Sequence, residues 1–193
     1  VRADYNSQPL DAFLSYAKVG DNFNPEVGFL RRKNYEKISS MIWHRKRMND
    51  RWGLFELRPH VFYQGYQDDE GFYESGFLHV DNHWEWTSGF EIHTGINFTR
   101  EGVKEPFEIN EGTFVAVGEY DHKESQIVVM TNPRKALSTS VTSRFGGFYG
   151  GDRNSTEVKA SYRLAEAFTS DLSWSNNRIE LPVTNGDFEV NVA

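Results

Sequence analysis

The stretch WEWTSGFEIHTGINF, residues 84–98, alternates without a break between two kinds of side chain. Its even positions are mostly aromatic or aliphatic: Trp84, Trp86, Ser88, Phe90, Ile92, Thr94, Ile96 and Phe98. Its odd positions are polar or glycine: Glu85, Thr87, Gly89, Glu91, His93, Gly95 and Asn97. Successive side chains of a β-strand point to opposite faces. The pattern therefore predicts one strand with an apolar face and a polar face.

The length of this segment separates two kinds of β-protein. Strands of globular proteins have about five to six residues, whereas the tilted strands of transmembrane barrels need about nine to eleven. One uninterrupted strand over residues 84–98, with Ile92 near its middle, therefore favours a barrel. We expect its even positions to face lipid or an apolar layer. The opposite side would carry Glu85, Glu91, His93 and Asn97.

The same period of two recurs along the chain. Weaker or shorter segments of this kind cover residues 12–19, 35–44, 52–66, 72–80, 119–130, 137–145, 157–164, 168–175 and 187–192. Together with residues 84–98 they make about ten strands, and no segment keeps an apolar period of 3.6 long enough to predict a helix. The sequence predicts an all-β protein, an antiparallel up-and-down barrel of the transmembrane type or part of one.

The connections between these segments alternate in length. Those predicted to be short lie at residues 47–50, 81–83, 131–135 and 165–167. Those predicted to be mostly longer lie at residues 20–33, 67–71, 101–112, 146–154 and 176–186. An up-and-down barrel has short turns at one rim and long loops at the other, whereas a Greek-key sandwich does not sort its loops in this way. A soluble β-sandwich remains the alternative.

Composition excludes some classes of function. The 193 residues are 38% hydrophobic with a mean hydropathy of −0.65, a balance that a barrel with a polar lumen shares with soluble proteins. A net charge of −7, from 21 basic and 28 acidic residues, argues against a general nucleic-acid binder. The chain has no cysteine, which excludes disulfides and thiolate metal sites.

Five motifs resemble those of a known bacterial family. They are GDNFNPEVGFLRRKNY at 20–35, EPFEI at 105–109, GEYDH at 118–122, FGGFYGGDR at 145–153 and RIELPVTNGDF at 178–188. In this order they are similar to the C-terminal region of DUF5916 proteins. The resemblance implies an outer-membrane β-barrel that follows an N-terminal domain resembling carbohydrate-binding family 9. It also implies the bacterial outer membrane as location, lipid as a partner and an association with glycans.

The resemblance covers the barrel region alone. We therefore expect residues 1–193 to form a single barrel region that is part of a longer chain, without the N-terminal module and without the closing strands of the barrel.

Four oxygen-bearing side chains lie close together in the first long connection. Asp21, Asn22, Asn24 and Glu26 could bind Ca²⁺, which prefers oxygen ligands. Their spacing is not that of an EF-hand, and Asn-Pro with a nearby glycine is ordinary turn chemistry. The alternative is a loop that folds against the barrel wall or into its lumen.

Charged residues on the polar faces are candidates for ligand binding. Arg31 and Arg32 follow the first long connection, and Glu91 and His93 share the polar face of residues 84–98. Barrel lumens use such charges to select what binds or passes. Rim charges that meet lipid headgroups, and a lattice of salt bridges inside the lumen, are the structural alternatives.

Motifs for catalysis are absent from the sequence. It contains no HExxH pair, no Gly-x-Ser-x-Gly elbow and no phosphate loop, since the glycines of FGGFYGGDR lack the following Lys-Ser/Thr. We expect a non-enzymatic outer-membrane barrel domain for surface binding or passage of a ligand, without a cofactor other than the Ca²⁺ considered above. A soluble carbohydrate-binding β-sandwich and a membrane-associated hydrolase are the alternatives.

Overall fold

A computed structural model describes residues 1–29, 32–164 and 168–193. The described elements are strands and one short 3₁₀ turn, Arg51–Gly53. The strands are β1 (Arg2–Asn6), β2 (Leu10–Val19), β3 (Tyr35–His44), β4 (Lys46–Arg47), β5 (Leu54–Gln67), β6 (Tyr73–Trp86), β7 (Glu91–Val103), β8 (Phe107–Asn110), β9 (Thr113–Val115), β10 (Gly118–Met130), β11 (Leu137–Phe148), β12 (Gly151–Leu164), β13 (Phe168–Glu180) and β14 (Asp187–Val192). Within these ranges no helix has the length and apolar character needed to cross a membrane.

The strands form one antiparallel sheet in chain order. It runs β1-β2-β3-β5-β6-β7-β10-β11-β12-β13-β14, with β4 paired to β5, and β8 and β9 make a separate hairpin. The prediction of an all-β antiparallel up-and-down fold is confirmed. The sheet is open, since β1 and β14 lie at its two edges and do not pair in the described part of the chain.

The main strands are long. β2, β3, β5, β6, β7, β10, β11, β12 and β13 each have 10–14 residues, about twice the ordinary length. The structure adds four strands that the alternation pattern missed, namely β1, β4, β8 and β9. It also extends β12 and β13 well beyond the predicted segments, because the added residues 151–156 and 176–180 are mostly polar and do not alternate.

The prediction of a single strand over residues 84–98 is wrong. The segment is a hairpin, in which β6 ends at Trp86 and β7 begins at Glu91. The Gly89 amide donates to the Trp86 carbonyl at 2.8 Å and the Trp86 amide to the Phe90 carbonyl at 2.9 Å, which closes a three-residue turn with Gly89 at φ 80°. The turn predicted at 81–83 lies inside β6, and Ile92 lies at the start of β7 rather than mid-strand.

The assignment of faces nevertheless holds. Glu85 pairs with Glu91, and Trp84 pairs with Ile92. Paired residues of antiparallel strands share a face, so a turn of three residues keeps odd positions on one face and even positions on the other. The alternation therefore continues through the turn, and this continuity makes a hairpin look like one strand in the sequence.

Loop lengths sort by rim only in part. Because the strands alternate in direction, connections 20–34, 68–72, 104–117, 149–150 and 181–186 share one end of the sheet, here called the loop rim. The opposite end, the turn rim, has connections 7–9, 48–53, 87–90 and 131–136. The loop rim includes the two longest connections and also the shortest, Tyr149–Gly150, where a long loop was predicted. Both residues have positive φ, 46° and 81°, as tight hairpin turns require. The predicted turn at 165–167 lies outside the described residues.

Burial on the sheet is opposite to that of a soluble protein. In β7, Ile96 is 38% exposed and Phe98 41%, whereas Asn97 between them is 4% exposed. Exposed apolar side chains of the same face, here called the outer face, are Leu14, Ile38, Ile42, Val61, Val80, Trp84, Ile127, Val141, Phe145, Tyr162, Leu172 and Trp174. Buried polar side chains of the other face, here called the polar face, include Ser39, Glu56, His60, Asp81, Asn97, His122 and Glu124.

A flat single sheet would leave both faces open to solvent. Burial of one face indicates that the sheet curls around its polar side. Arg153 of β12 reaches Glu124 of β10 across β11 at 2.6 Å, as expected for side chains on a concave surface. The pattern has exceptions. Val103, Val128 and Ile179 are buried apolar residues of the polar face, and the register of the edge strand β14 places Val190 opposite Asn177 on that face.

Candidate ligand-binding face

A network of charges occupies the polar face near the turn rim. Arg58 of β5 crosses β6 and donates from Nη2 to Glu91 Oε2 of β7 at 2.5 Å, while its Nη1 lies 3.4 Å from Glu85 Oε2. His93 Nε2 lies 3.1 Å from the same Glu91 oxygen. The two glutamates face each other in register, and Arg58 offsets the repulsion between them. The predicted residues Glu91 and His93 therefore belong to one polar cluster.

Three further histidines converge beside this network. His60 comes from β5, and the sequence HVDNH places His79, Asp81 and His83 on one face of β6, because their spacing is two. The ring centroids of His60 and His79 are 5.2 Å apart, and those of His60 and His83 are 4.9 Å apart. Four of the six histidines of the chain thus lie on three neighbouring strands.

Two groups within the cluster have the composition of a metal site. One ring nitrogen each from His60 and His79 and one oxygen of Asp81 lie within 4.8 Å of one another, and the same holds for His83, Glu91 and His93. Sequence reasoning missed the first group and His83. The signal that could have found most of these residues is the His-x-Asp-x-His spacing of residues 79–83, which places three potential ligands on one strand face.

A groove lies on the polar face between β7 and β13. Its volume is about 520 Å³, and it is lined in part by Glu91, Ser140, Lys159, Ser161 and Asp171. Most of the exposed lining is apolar, so its carboxylates, hydroxyls and ammonium group suit a ligand that has apolar surface as well as hydrogen-bonding groups. Glu91 therefore contacts both the histidine cluster and an open groove.

Arg32 lies at the opposite end of the sheet. Its guanidinium contacts Glu74 at 3.1 Å and stacks over Tyr66 with 4.5 Å between the guanidinium carbon and the ring centroid. Eleven positions of β6 separate Glu74 from Glu85, the residue that faces Glu91. The structure therefore does not bring Arg32 together with Glu91 and His93. Arg31 lies outside the described residues.

The four residues predicted to bind calcium lie in the first connection of the loop rim. The side chains of Asp21, Asn22, Asn24 and Glu26 are all exposed to solvent. A calcium site at this loop stays a prediction.

The loop rim has its own polar anchor. Asp68 accepts hydrogen bonds from the amides of Glu70 and Phe72, at 3.0 and 2.8 Å, and pairs with Lys104. The hydrogen bond from Lys104 holds the pKa of Asp68 below its usual range, against the opposing effect of desolvation. The pair joins the β5–β6 connection to the segment after β7.

The β8–β9 hairpin is fixed to the same rim. Thr113 is fully buried, and its hydroxyl donates to the Asn185 carbonyl at 2.7 Å. Phe107 and Tyr120 pack edge-on against Tyr149, with ring centroids 5.7 and 5.2 Å apart. Three of the loop-rim connections are therefore packed together.

No protein-family model, curated protein or solved structure matches the chain.

Proposed function

We propose that this chain is a region of a bacterial outer-membrane β-barrel. On this proposal its outer face meets lipid, and its polar face binds or passes a polar ligand without catalysing a reaction. The observation that carries the proposal is the inverted burial of the sheet, with apolar side chains outward and charged side chains inward.

Exposed apolar side chains form continuous rows on the outer face. Ile42, Val61, Val80 and Ile96 are cross-strand neighbours on β3, β5, β6 and β7. In water, exposure of such a row costs about 25 cal/mol of free energy per Å² of apolar surface. Contact with lipid removes this cost. A 13-residue strand such as β7 tilted by about 40° spans roughly 33 Å along the membrane normal, enough for an apolar band of about 25 Å.

The polar face supports the ligand part of the proposal. Two of its buried acids are compensated by arginines, Glu56 by Arg47 at 3.1 Å and Glu124 by Arg153 at 2.6 Å. Such pairing is what a polar lumen requires when charges are partly removed from water. The groove lined by Glu91 and Lys159 offers hydrogen-bonding groups of both kinds, and the resemblance to DUF5916 supports a glycan as the ligand class.

The two alternative functions have less support. A carbohydrate-binding sandwich has two packed sheets with Greek-key connections, whereas here one sheet follows chain order. A hydrolase of the glycosidase type needs one of two carboxyls to keep its proton. Arg58 contacts both Glu85 and Glu91, so both carboxyl groups are already engaged in one ion-pair network.

Dependence on detergent tests the membrane part of the proposal. We expect the purified protein to be monodisperse and to unfold cooperatively in detergent micelles, and to aggregate when the detergent is removed, because the outer face and the open sheet edges are then unprotected. A monodisperse monomer that melts cooperatively in detergent-free buffer would contradict the proposal and favour a soluble binding module.

A further inference from the structure

We infer that His60, His79 and Asp81 form a binding site for a divalent transition-metal ion, for which Zn²⁺ is the natural probe. Two imidazole nitrogens and one carboxylate oxygen are a common ligand set for such ions. The three residues lie on adjacent strands β5 and β6, and all three are largely withdrawn from solvent. The inference does not depend on the proposed membrane location, because the ligands belong to one face of one sheet.

Each ligand has its second polar atom held by another group. His60 Nδ1 lies 3.2 Å from the Arg58 carbonyl, and His79 Nδ1 lies 2.6 Å from Asn97 Oδ1. Both partners are acceptors, so Nδ1 carries the hydrogen and Nε2 keeps its lone pair in each neutral ring. Asp81 Oδ1 accepts from the Thr94 amide at 3.1 Å, and Oδ2 is the oxygen that faces His79 Nε2. Metal-binding histidines and carboxylates are oriented in this way by outer partners.

The distance between two of the ligand atoms fits a shared ion. His79 Nε2 and Asp81 Oδ2 are 3.3 Å apart, longer than the roughly 2.7–2.9 Å of a charge-assisted hydrogen bond. Two ligands bound tetrahedrally at about 2.0–2.1 Å from Zn²⁺ would be separated by roughly 3.3–3.4 Å. The alternative is a protonated His79 that bridges Asn97 and Asp81, and this alternative predicts no metal affinity.

Gly95 leaves room for the ion. It faces Asp81 across the β6–β7 pair, and a Cβ at this position would lie 2.9 Å from Asp81 Oδ2 and 3.2 Å from His79 Cε1. Its φ is not among the positive values of the chain, so the backbone does not require glycine there. The missing side chain keeps open the space beside Asp81 Oδ2 and the ring of His79.

The neighbouring group of His83, Glu91 and His93 is less suited to an ion. Arg58 already pairs with Glu91, and a cation there would meet this positive charge. The rings of His83 and His93 are stacked, with 3.5 Å between their centroids and an angle of 3° between their planes. Stacked rings present their faces to each other, whereas a metal binds nitrogen lone pairs in the ring plane. The geometry therefore selects the first group.

Titration with Co²⁺, followed by competition with Zn²⁺, tests the site on the purified protein. We expect one equivalent of Co²⁺ to bind with the visible absorption of a four- or five-coordinate ion, and Zn²⁺ to displace it. Asp81→Asn, which keeps the side-chain shape, and His60→Ala should weaken binding by more than the roughly 10–100-fold that loss of an outer partner costs. Gly95→Ala should weaken it by filling the space beside the ligands.

His93→Gln is the matched control, because it removes a histidine of the same polar face from the other group. Its Co²⁺ affinity should stay within about threefold of the unsubstituted protein, well below the roughly 10–100-fold effect of an outer partner. Absence of Co²⁺ and Zn²⁺ binding at micromolar concentration in the unsubstituted protein would overturn the inference, whether or not the variants fold. A loss in His93→Gln as large as in Asp81→Asn would also overturn it, since the ion would then lie at the other group.

Discussion

Replacing Ile96 by arginine tests what the outer face contacts. Ile96 is the sixth of 13 residues in β7, one position from the middle of the strand. At about 3.3 Å per residue and a tilt near 40°, it lies roughly 2.5 Å from the membrane midplane. An arginine on the lipid face costs about 2–4 kcal/mol at the midplane and about 0–1 kcal/mol near the interfaces. We therefore expect Ile96→Arg to cost about 2–4 kcal/mol.

Ile92→Arg gives the depth dependence. Ile92 is on the same face, five positions from the strand middle and thus roughly 13 Å from the midplane, near the edge of an apolar band about 25 Å tall. Its replacement should cost about 0–1 kcal/mol. Thr99→Arg, on the polar face of the same strand, is the control, and it should cost less than Ile96→Arg because polar groups and water surround it.

Equilibrium unfolding by urea in lipid vesicles measures these costs. The variants should shift the midpoint of unfolding without changing its slope. If the outer face contacted water, Ile96→Arg would be an ordinary surface substitution and would change stability by about 0.5 kcal/mol or less. Equal costs for Ile96→Arg, Ile92→Arg and Thr99→Arg would therefore refute the assignment of the outer face to lipid.

Two further predictions concern ion pairs. Arg153→Met should destabilise the protein by about 3 kcal/mol in urea unfolding, because it leaves the buried carboxylate of Glu124 without its partner. Arg178→Met is the control, since it breaks an exposed ion pair and should cost less than about 1 kcal/mol. Equal costs for the two variants would contradict the difference in burial between the two pairs. The lowered pKa of Asp68 means that its pair with Lys104 stabilises the loop rim above the unfolded pKa near 3.9 and loses this effect as pH falls through the folded pKa. Amide hydrogen exchange at the loop rim should therefore speed up on acidification, and Asp68→Asn should remove the pH dependence; an unchanged profile in that variant would show that another group is responsible.

Alternation of side chains predicted much of the fold. Segment 187–192 matches β14 residue for residue, because its two faces differ in polarity along the whole strand. The same rule failed at residues 84–98, where a three-residue turn keeps the faces in phase and hides the hairpin. The Ser88-Gly89 pair is ordinary turn chemistry and was the available signal against a single strand.

The candidate site was predictable in smaller part. Glu91 and His93 were found because they share a strand face. His60 comes from another strand, and only the register of β5 with β6 brings it to His79. Contacts between strands depend on register, which is set by turn geometry and by the pairing of whole strands, and which the alternation within a single strand does not reveal. The separation of Arg32 from Glu91 has the same origin, since sequence alone does not show which rim a charged residue occupies.

Contact with lipid at two positions of β7 tests the central claim most directly. The chain has no cysteine, so a spin label can be placed at Ile96→Cys and at Thr99→Cys without further substitution. In vesicles, the label at position 96 should collide with oxygen dissolved in the bilayer and be shielded from a water-soluble nickel chelate. The label at position 99 should show the reverse. If neither label senses the bilayer, the outer face does not contact lipid and the barrel function proposed for this chain is wrong.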